Sequence, residues 1–117
     1  MEKRILGNSG LELTTVGLGT WAMGGDDWAF GWGPQDDASS QQSVHEAIDA
    51  GINWIDTAPV YGLGRSEEVV GEAVRDRRSE LIVATKCGRV WDETRTIGKR
   101  LNKESVKQEV EESLRRL

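Results

Sequence analysis

Two short apolar runs in this chain each end on a charge that a buried strand could not carry further. Asn53-Trp54-Ile55-Asp56 closes on a carboxylate, and Leu81-Ile82-Val83-Ala84-Thr85-Lys86 closes on an amine. Segments with helical spacing alternate with these runs, which leaves few folds open. Strand, helix, strand in repetition builds right-handed βαβ units and a parallel sheet. Alternate residues of a strand share a face, so Trp54 sides with Asp56, and Ile82 and Ala84 side with Lys86. A charge on an inward face is tolerable only at the open end of the sheet. Neighbouring strand ends would therefore bring Asp56 and Lys86 together, with Tyr61 on the loop just after, where α/β proteins keep their chemistry.

The rest of the chain is legible from its turn and cap residues. Arg4-Ile5-Leu6 and Leu11-Glu12-Leu13 flank Gly7-Asn8-Ser9-Gly10 and read as a β-hairpin. Thr15 to Trp21 reads as a strand with Gly17 and Gly19 on one face, which lets something approach the backbone closely. Met23 to Ala38 has glycines, aspartates and three aromatics without a period, hence a long loop of functional character. Lacking an apolar stripe, it is expected to be ordered by ligand. Ser39 or Ser40 is the expected cap of a helix to about Ala50, with Val44, Ala47 and Ile48 inward and Gly51 as terminator. Ser66 is the expected cap of a second helix, with Glu67 and Glu68 in its positive first turn and Val69, Val70, Ala73 and Val74 buried. A polar segment follows from Arg89 to Leu101. Asn102 then caps a third helix whose apolar positions are Val106, Val110, Leu114 and Leu117. Residues 1–117 read as one domain.

Size and charge exclude several function classes. A chain of 117 residues suits one ordinary domain. Residues 1–60 hold 9 acids and 2 bases, and residues 61–117 hold 11 acids and 13 bases, so neither half is basic enough to suggest nucleic acid or an anionic membrane surface. There is no apolar run of about 18 residues and no apolar signal region at the start, so a cytoplasmic location is expected. One cysteine, Cys87, and one histidine, His45, offer neither an internal disulfide nor a metal cluster. His45 reads as a structural, partly exposed histidine, and Cys87 as a small buried hydrophobe.

Two chemical readings compete. Gly17-Leu18-Gly19-Thr20-Trp21-Ala22 fits the dinucleotide-binding pattern G-x-G-x-x-G/A, but that fingerprint needs a helix to open inside it, and Met23-Gly24-Gly25-Asp26-Asp27 cannot open one. The stronger reading is proton transfer at Asp56, Tyr61 and Lys86. An ammonium beside a phenol favours the phenolate, and Asp56 would keep Lys86 charged and aimed. The bland alternative is an Asp–Lys ion pair next to a surface tyrosine. Trp21, Trp28 and Trp32 could wall a pocket, whereas Trp54 reads as core.

Across nearly its whole length the chain resembles the aldo-keto reductase family. The resemblance lies in the opening Arg4-Ile5-Leu6-Gly7-Asn8-Ser9-Gly10-Leu11, in Gly17-Leu18-Gly19-Thr20-Trp21, and in Gly51-Ile52-Asn53-Trp54-Ile55-Asp56-Thr57-Ala58 with Val60-Tyr61-Gly62. It continues through Ser66-Glu67, Gly71, Ala84-Thr85-Lys86 and Ser113-Leu114-Arg115-Arg116-Leu117. The resemblance implies the N-terminal part of a (β/α)8 TIM barrel preceded by a β-hairpin. It implies reduction of small-molecule carbonyls with NADPH, with Asp56, Tyr61 and Lys86 as catalytic residues and with Gly19, Thr20, Trp21 and Asp56 near the nicotinamide. The resemblance implies a fourth catalytic residue, a His at the end of the fourth barrel strand, beyond Leu117, so these 117 residues alone are expected to be inactive and prone to self-association through open sheet edges. The alternative is a non-catalytic interaction or regulatory subunit on the same scaffold.

Overall fold

The computed structural model describes residues 1–117. Strands β1 (Lys3–Ile5) and β2 (Glu12–Thr14) pair antiparallel as the expected hairpin, with Arg4 opposite Leu13. Three strands then form a parallel sheet in the order β3 (Leu18–Gly19), β4 (Trp54–Asp56), β5 (Ile82–Ala84). The register places Gly19, Asp56 and Ala84 side by side. Helices α1 (Asp37–Asp49) and α2 (Arg65–Val74) connect the strands, and α3 (Lys103–Arg116) follows. No helix is long and apolar enough to cross a membrane.

The core lies between the sheet and its helices. Val44 and Ile48 of α1 meet Val69, Val70, Ala73 and Val74 of α2, and Ile55 of β4 and Leu81 close the cluster from the sheet. Because β4 alternates, burying Ile55 on the helix side turns Trp54 and Asp56 to the other side. Trp54, expected in the core, is half-buried on that side instead: its indole donates to the Thr14 carbonyl at 2.9 Å, which ties the sheet to the hairpin. Asn53 repeats the tie, accepting from the Thr14 amide at 2.9 Å and donating to the Glu12 carbonyl at 2.8 Å.

Several local expectations are corrected. Asp36, not Ser39 or Ser40, caps α1: its side chain accepts from the Ser39 amide and hydroxyl at 2.8 Å each, because an Asp one turn earlier reaches the free amides first. Gly64, in the left-handed region, precedes α2, and Ser66 turns into the interior instead of capping. The strand expected to run to Trp21 stops at Gly19, and a 3₁₀ turn, Trp21–Gly24, takes over. The polar segment from Arg89 to Leu101 contains a second hairpin, β6 (Arg89–Trp91) with β7 (Ile97–Lys99). Asp92 organises its turn, accepting from the amides of Thr94 and Thr96 and from the Thr94 hydroxyl. Cys87 is exposed, not buried, since no element covers the outer side of β5. The buried positions of α3 are Ser105, Glu109 and Ser113, while Val110 and Leu114 are exposed.

Candidate active site

The C-terminal ends of β4 and β5 bring Asp56 and Lys86 into contact. Lys86 Nζ donates to both carboxylate oxygens of Asp56 at 2.9 Å each and to the Thr57 carbonyl at 2.8 Å. All three ammonium donors are thereby directed. The Lys86 Nζ also lies 4.9 Å from the centroid of the Tyr61 ring. Burial, the largest single influence, pushes the Lys86 ammonium toward neutrality, but hydrogen bonding to Asp56 and then the nearby Tyr61 phenol together outweigh it. Its pKa is raised above the ordinary lysine value.

Tyr61 is held by a turn that only small residues permit. Gly62 has a positive φ of 66°, and a side chain there would stand 2.2 Å from the Gly24 carbonyl oxygen. The Tyr61 loop and the Trp21–Gly24 turn therefore touch backbone to backbone. The Tyr61 ring stacks obliquely on Trp21, with centroids 5.0 Å apart, and Trp28 lies 6.1 Å away.

The long loop makes hydrogen bonds to itself and to its neighbours. The Trp21 indole donates to the Phe30 carbonyl at 2.9 Å, and the Trp28 indole donates to the Gly25 carbonyl at 3.1 Å. Arg65 at the start of α2 donates to the Gln35 carbonyl and the Asp37 carboxylate, both at 2.7 Å. Arg95 at the tip of the second hairpin pairs with Asp27 of the loop at 3.1 Å. Between loop and hairpin opens a pocket of about 390 Å³, lined by Trp21, Trp28, Phe30 and Val60, with Arg89 and Ile97 at the hairpin side. Tyr61 and Lys86 complete its lining. Trp32 stacks on the outer side of Trp21, at 6.2 Å, and is mostly exposed.

The residues expected to meet a cofactor divide in two. Gly19 lies beside Asp56 with no atom within 4 Å of where a side chain would stand, and Trp21, two residues on, is exposed. An open backbone face between a carboxylate and an indole accommodates a flat ring. Gly17, the other glycine of that face, is covered by the Trp54 ring. Thr20 is only 1% exposed and backs the site: its hydroxyl and amide both donate to the Asp56 carbonyl. His45 is remote, with Nε2 2.8 Å from the Ala73 carbonyl. Sequence reasoning missed the hairpin residues Arg89 and Ile97. The alternation in Arg89-Val90-Trp91 and the Asp92-Glu93-Thr94 turn were the available signals.

Comparison with known proteins yields consistent matches. The model described as "Aldo/keto reductase family" matches residues 15–117. The NADH-specific methylglyoxal reductase of Escherichia coli is 41% identical over 128 aligned positions, covering 100% of this chain and 38% of its own length. The crystal structure of the aldo-keto reductase AKR11C1 from Bacillus halodurans, in its holo form, superposes with a TM-score of 0.87 at 32% identity, covering 100% of this chain and 36% of that one. An aldo-keto reductase from Klebsiella pneumoniae solved in complex with NADPH gives a TM-score of 0.68 at 31% identity, over 90% of this chain and 31% of that one. The chain thus spans little more than a third of the length of such relatives.

Proposed function

Because the chain belongs to the aldo/keto reductase family and its open three-stranded sheet is the N-terminal portion of that family's barrel, we propose that it serves a cytoplasmic reductase of aldehyde or ketone carbonyls. The observation that carries this is the Lys86 ammonium, fixed on Asp56 and set against the Tyr61 ring in the lining of an aromatic pocket.

Each residue then has a role that follows from its chemistry. A nicotinamide cofactor, when bound, supplies the hydride. Gly19, Trp21 and the rim of Asp56 are the residues here that would hold its ring, with Thr20 fixing Asp56 from behind. Tyr61 donates its phenolic proton to the oxygen that gains negative charge as the carbonyl is reduced. The Lys86 ammonium stabilises the phenolate left behind, and Asp56 keeps that ammonium charged and aimed. Trp21, Trp28 and Phe30 exclude water and favour an apolar or flat substituent on the substrate.

NADPH is the cofactor assigned, supported by the Klebsiella pneumoniae relative; the Escherichia coli relative, named as NADH-specific, makes NADH the comparison to run. The test is oxidation of each dinucleotide by the intact barrel that carries residues 1–117, against a panel of aldehydes and ketones. Turnover faster with NADPH supports the assignment. Absence of turnover with both across the panel sinks it.

A further inference from the structure

Ser66 and Glu67 are consecutive residues in the first turn of α2, and both are fully buried although neither enters the chemistry above. Each strand of the parallel sheet is followed at the same level by a threonine: Thr20 after Gly19, Thr57 after Asp56, and Thr85 after Ala84. The two α2 residues reach all three. Ser66 Oγ lies 2.9 Å from both the carbonyl and the hydroxyl of Thr20, and 3.1 Å from the Thr57 hydroxyl. Glu67 accepts from the Thr85 hydroxyl at 2.6 Å with one oxygen and from Arg116 Nε at 2.6 Å with the other. Arg116 can approach because Gly71 leaves room: a side chain there would stand 1.9 Å from the Arg116 carbonyl oxygen.

Each threonine is one bond from the reacting groups. Thr20 donates twice to the Asp56 carbonyl, the Thr57 carbonyl accepts from Lys86, and Thr85 is covalently next to Lys86. We infer that Ser66 and Glu67 are positioning residues, which lock the three strand ends at one height so that the Asp56 carboxylate and the Lys86 ammonium stay in register beneath Tyr61. The inference rests on the proton-transfer reading of that trio. A short hydroxyl serves the two nearer strands and a longer carboxylate the third, so one helical turn sets the whole floor of the site. Charge-assisted hydrogen bonds make this floor stiff, since Glu67 has no exposed surface through which water could replace Thr85 or Arg116.

The test uses the intact barrel and begins at Thr85, because replacing Glu67 would strand Arg116 and could prevent folding. Thr85→Val keeps the shape and removes only the hydroxyl held by Glu67. The expected result is a roughly tenfold fall in kcat with KM and cofactor affinity within about twofold, since small misplacements of reacting groups are costly. The alkaline limb of the kcat profile should also move to lower pH, as Lys86 loosens from Asp56. Thr85→Ser should restore both, and Ser66→Ala should fall in the same direction as Thr85→Val. A purely structural stitch would lower the melting temperature and leave kcat and the alkaline limb unchanged in folded protein; that result overturns the inference. Tyr61→Phe run alongside separates the two levels. If it keeps full turnover, the proton-transfer reading fails and takes this inference with it. If it is dead while Thr85→Val matches wild type, only the positioning role fails.

Discussion

Lys86 gives all three of its ammonium protons to two neighbours, and that makes its charge state testable apart from turnover. Its pKa is higher folded than unfolded, so its contribution to stability is fully present below the unfolded value of about 10.4 and is lost as pH rises through the folded value. Between pH 7 and about 10 the denaturation midpoint of wild type should exceed that of Lys86→Met by a constant amount, and the gap should shrink above that range. A gap that widens at high pH would contradict a raised Lys86 pKa in the folded protein. For the chemistry itself, Tyr61→Phe in the intact barrel should cost about 10² to 10⁴ in kcat and leave cofactor affinity nearly unchanged, because it removes a proton donor and keeps the ring on Trp21. Less than a threefold loss, measured by dinucleotide oxidation, would remove Tyr61 from its role. Asp56 and Lys86 were legible as a pair because each terminates an apolar run on the same face. The inward turn of Ser66 and the exposure of Cys87 were not, since a serine near a helix start and a cysteine beside a strand look the same in sequence whichever way they face.

At the scale of elements, the long loop and the second hairpin form one rim over the pocket, joined by Arg95 and Asp27. That pair is solvent-exposed, with side chains 50% and 88% accessible, so it contributes little to global stability. Arg95→Ala should therefore leave the melting temperature within about 2 °C while speeding hydrogen exchange in residues 25–33 and 89–99 together. Faster exchange in the hairpin alone would show that the two move independently. The helices behave differently. Val70 on α2 is fully buried among Val44, Ile55 and Val74, and Val70→Ala should cost roughly 2 kcal/mol from lost burial plus a cavity, read from urea denaturation. The stripe that predicts this burial was plain in the sequence, because its period is helical and its residues are apolar. The hairpin was hidden, because only Val90, Trp91 and Ile97 mark it among charges and it pairs with nothing but itself.

For the molecule as a whole, the sheet has two unpaired edges, β3 on one side and β5 on the other. Beside β5 lies a groove formed by Val83, Cys87, Val110 and Leu114, with Val110 48% and Leu114 74% exposed. Open strand edges beside wet apolar side chains favour pairing with further chains. Produced alone, the 117-residue polypeptide should sediment as oligomers or melt without a sharp transition, and should oxidise no dinucleotide. A monomer with a cooperative melt, or turnover above a Tyr61→Phe control, would contradict this.

What the sequence determined by itself is whatever depends on near neighbours along the chain. The period of the apolar residues made α1 and α2, the runs ending on Asp56 and Lys86 made the strands, and Asn102 capped α3 where an Asn before a helical stripe should. Tertiary structure alone decided what depends on who arrives from elsewhere. Glu67 could serve a helix dipole or a buried ion pair, and only the approach of Arg116 and Thr85 selects the second. Gly17 and Gly19 look equivalent in the chain, yet the Trp54 ring fills the space beside one and nothing fills the space beside the other. The physical reason is that propensity and period act over a few residues, whereas burial and electrostatic pairing act at contact distance, between residues whose separation in the chain carries no information about which will meet.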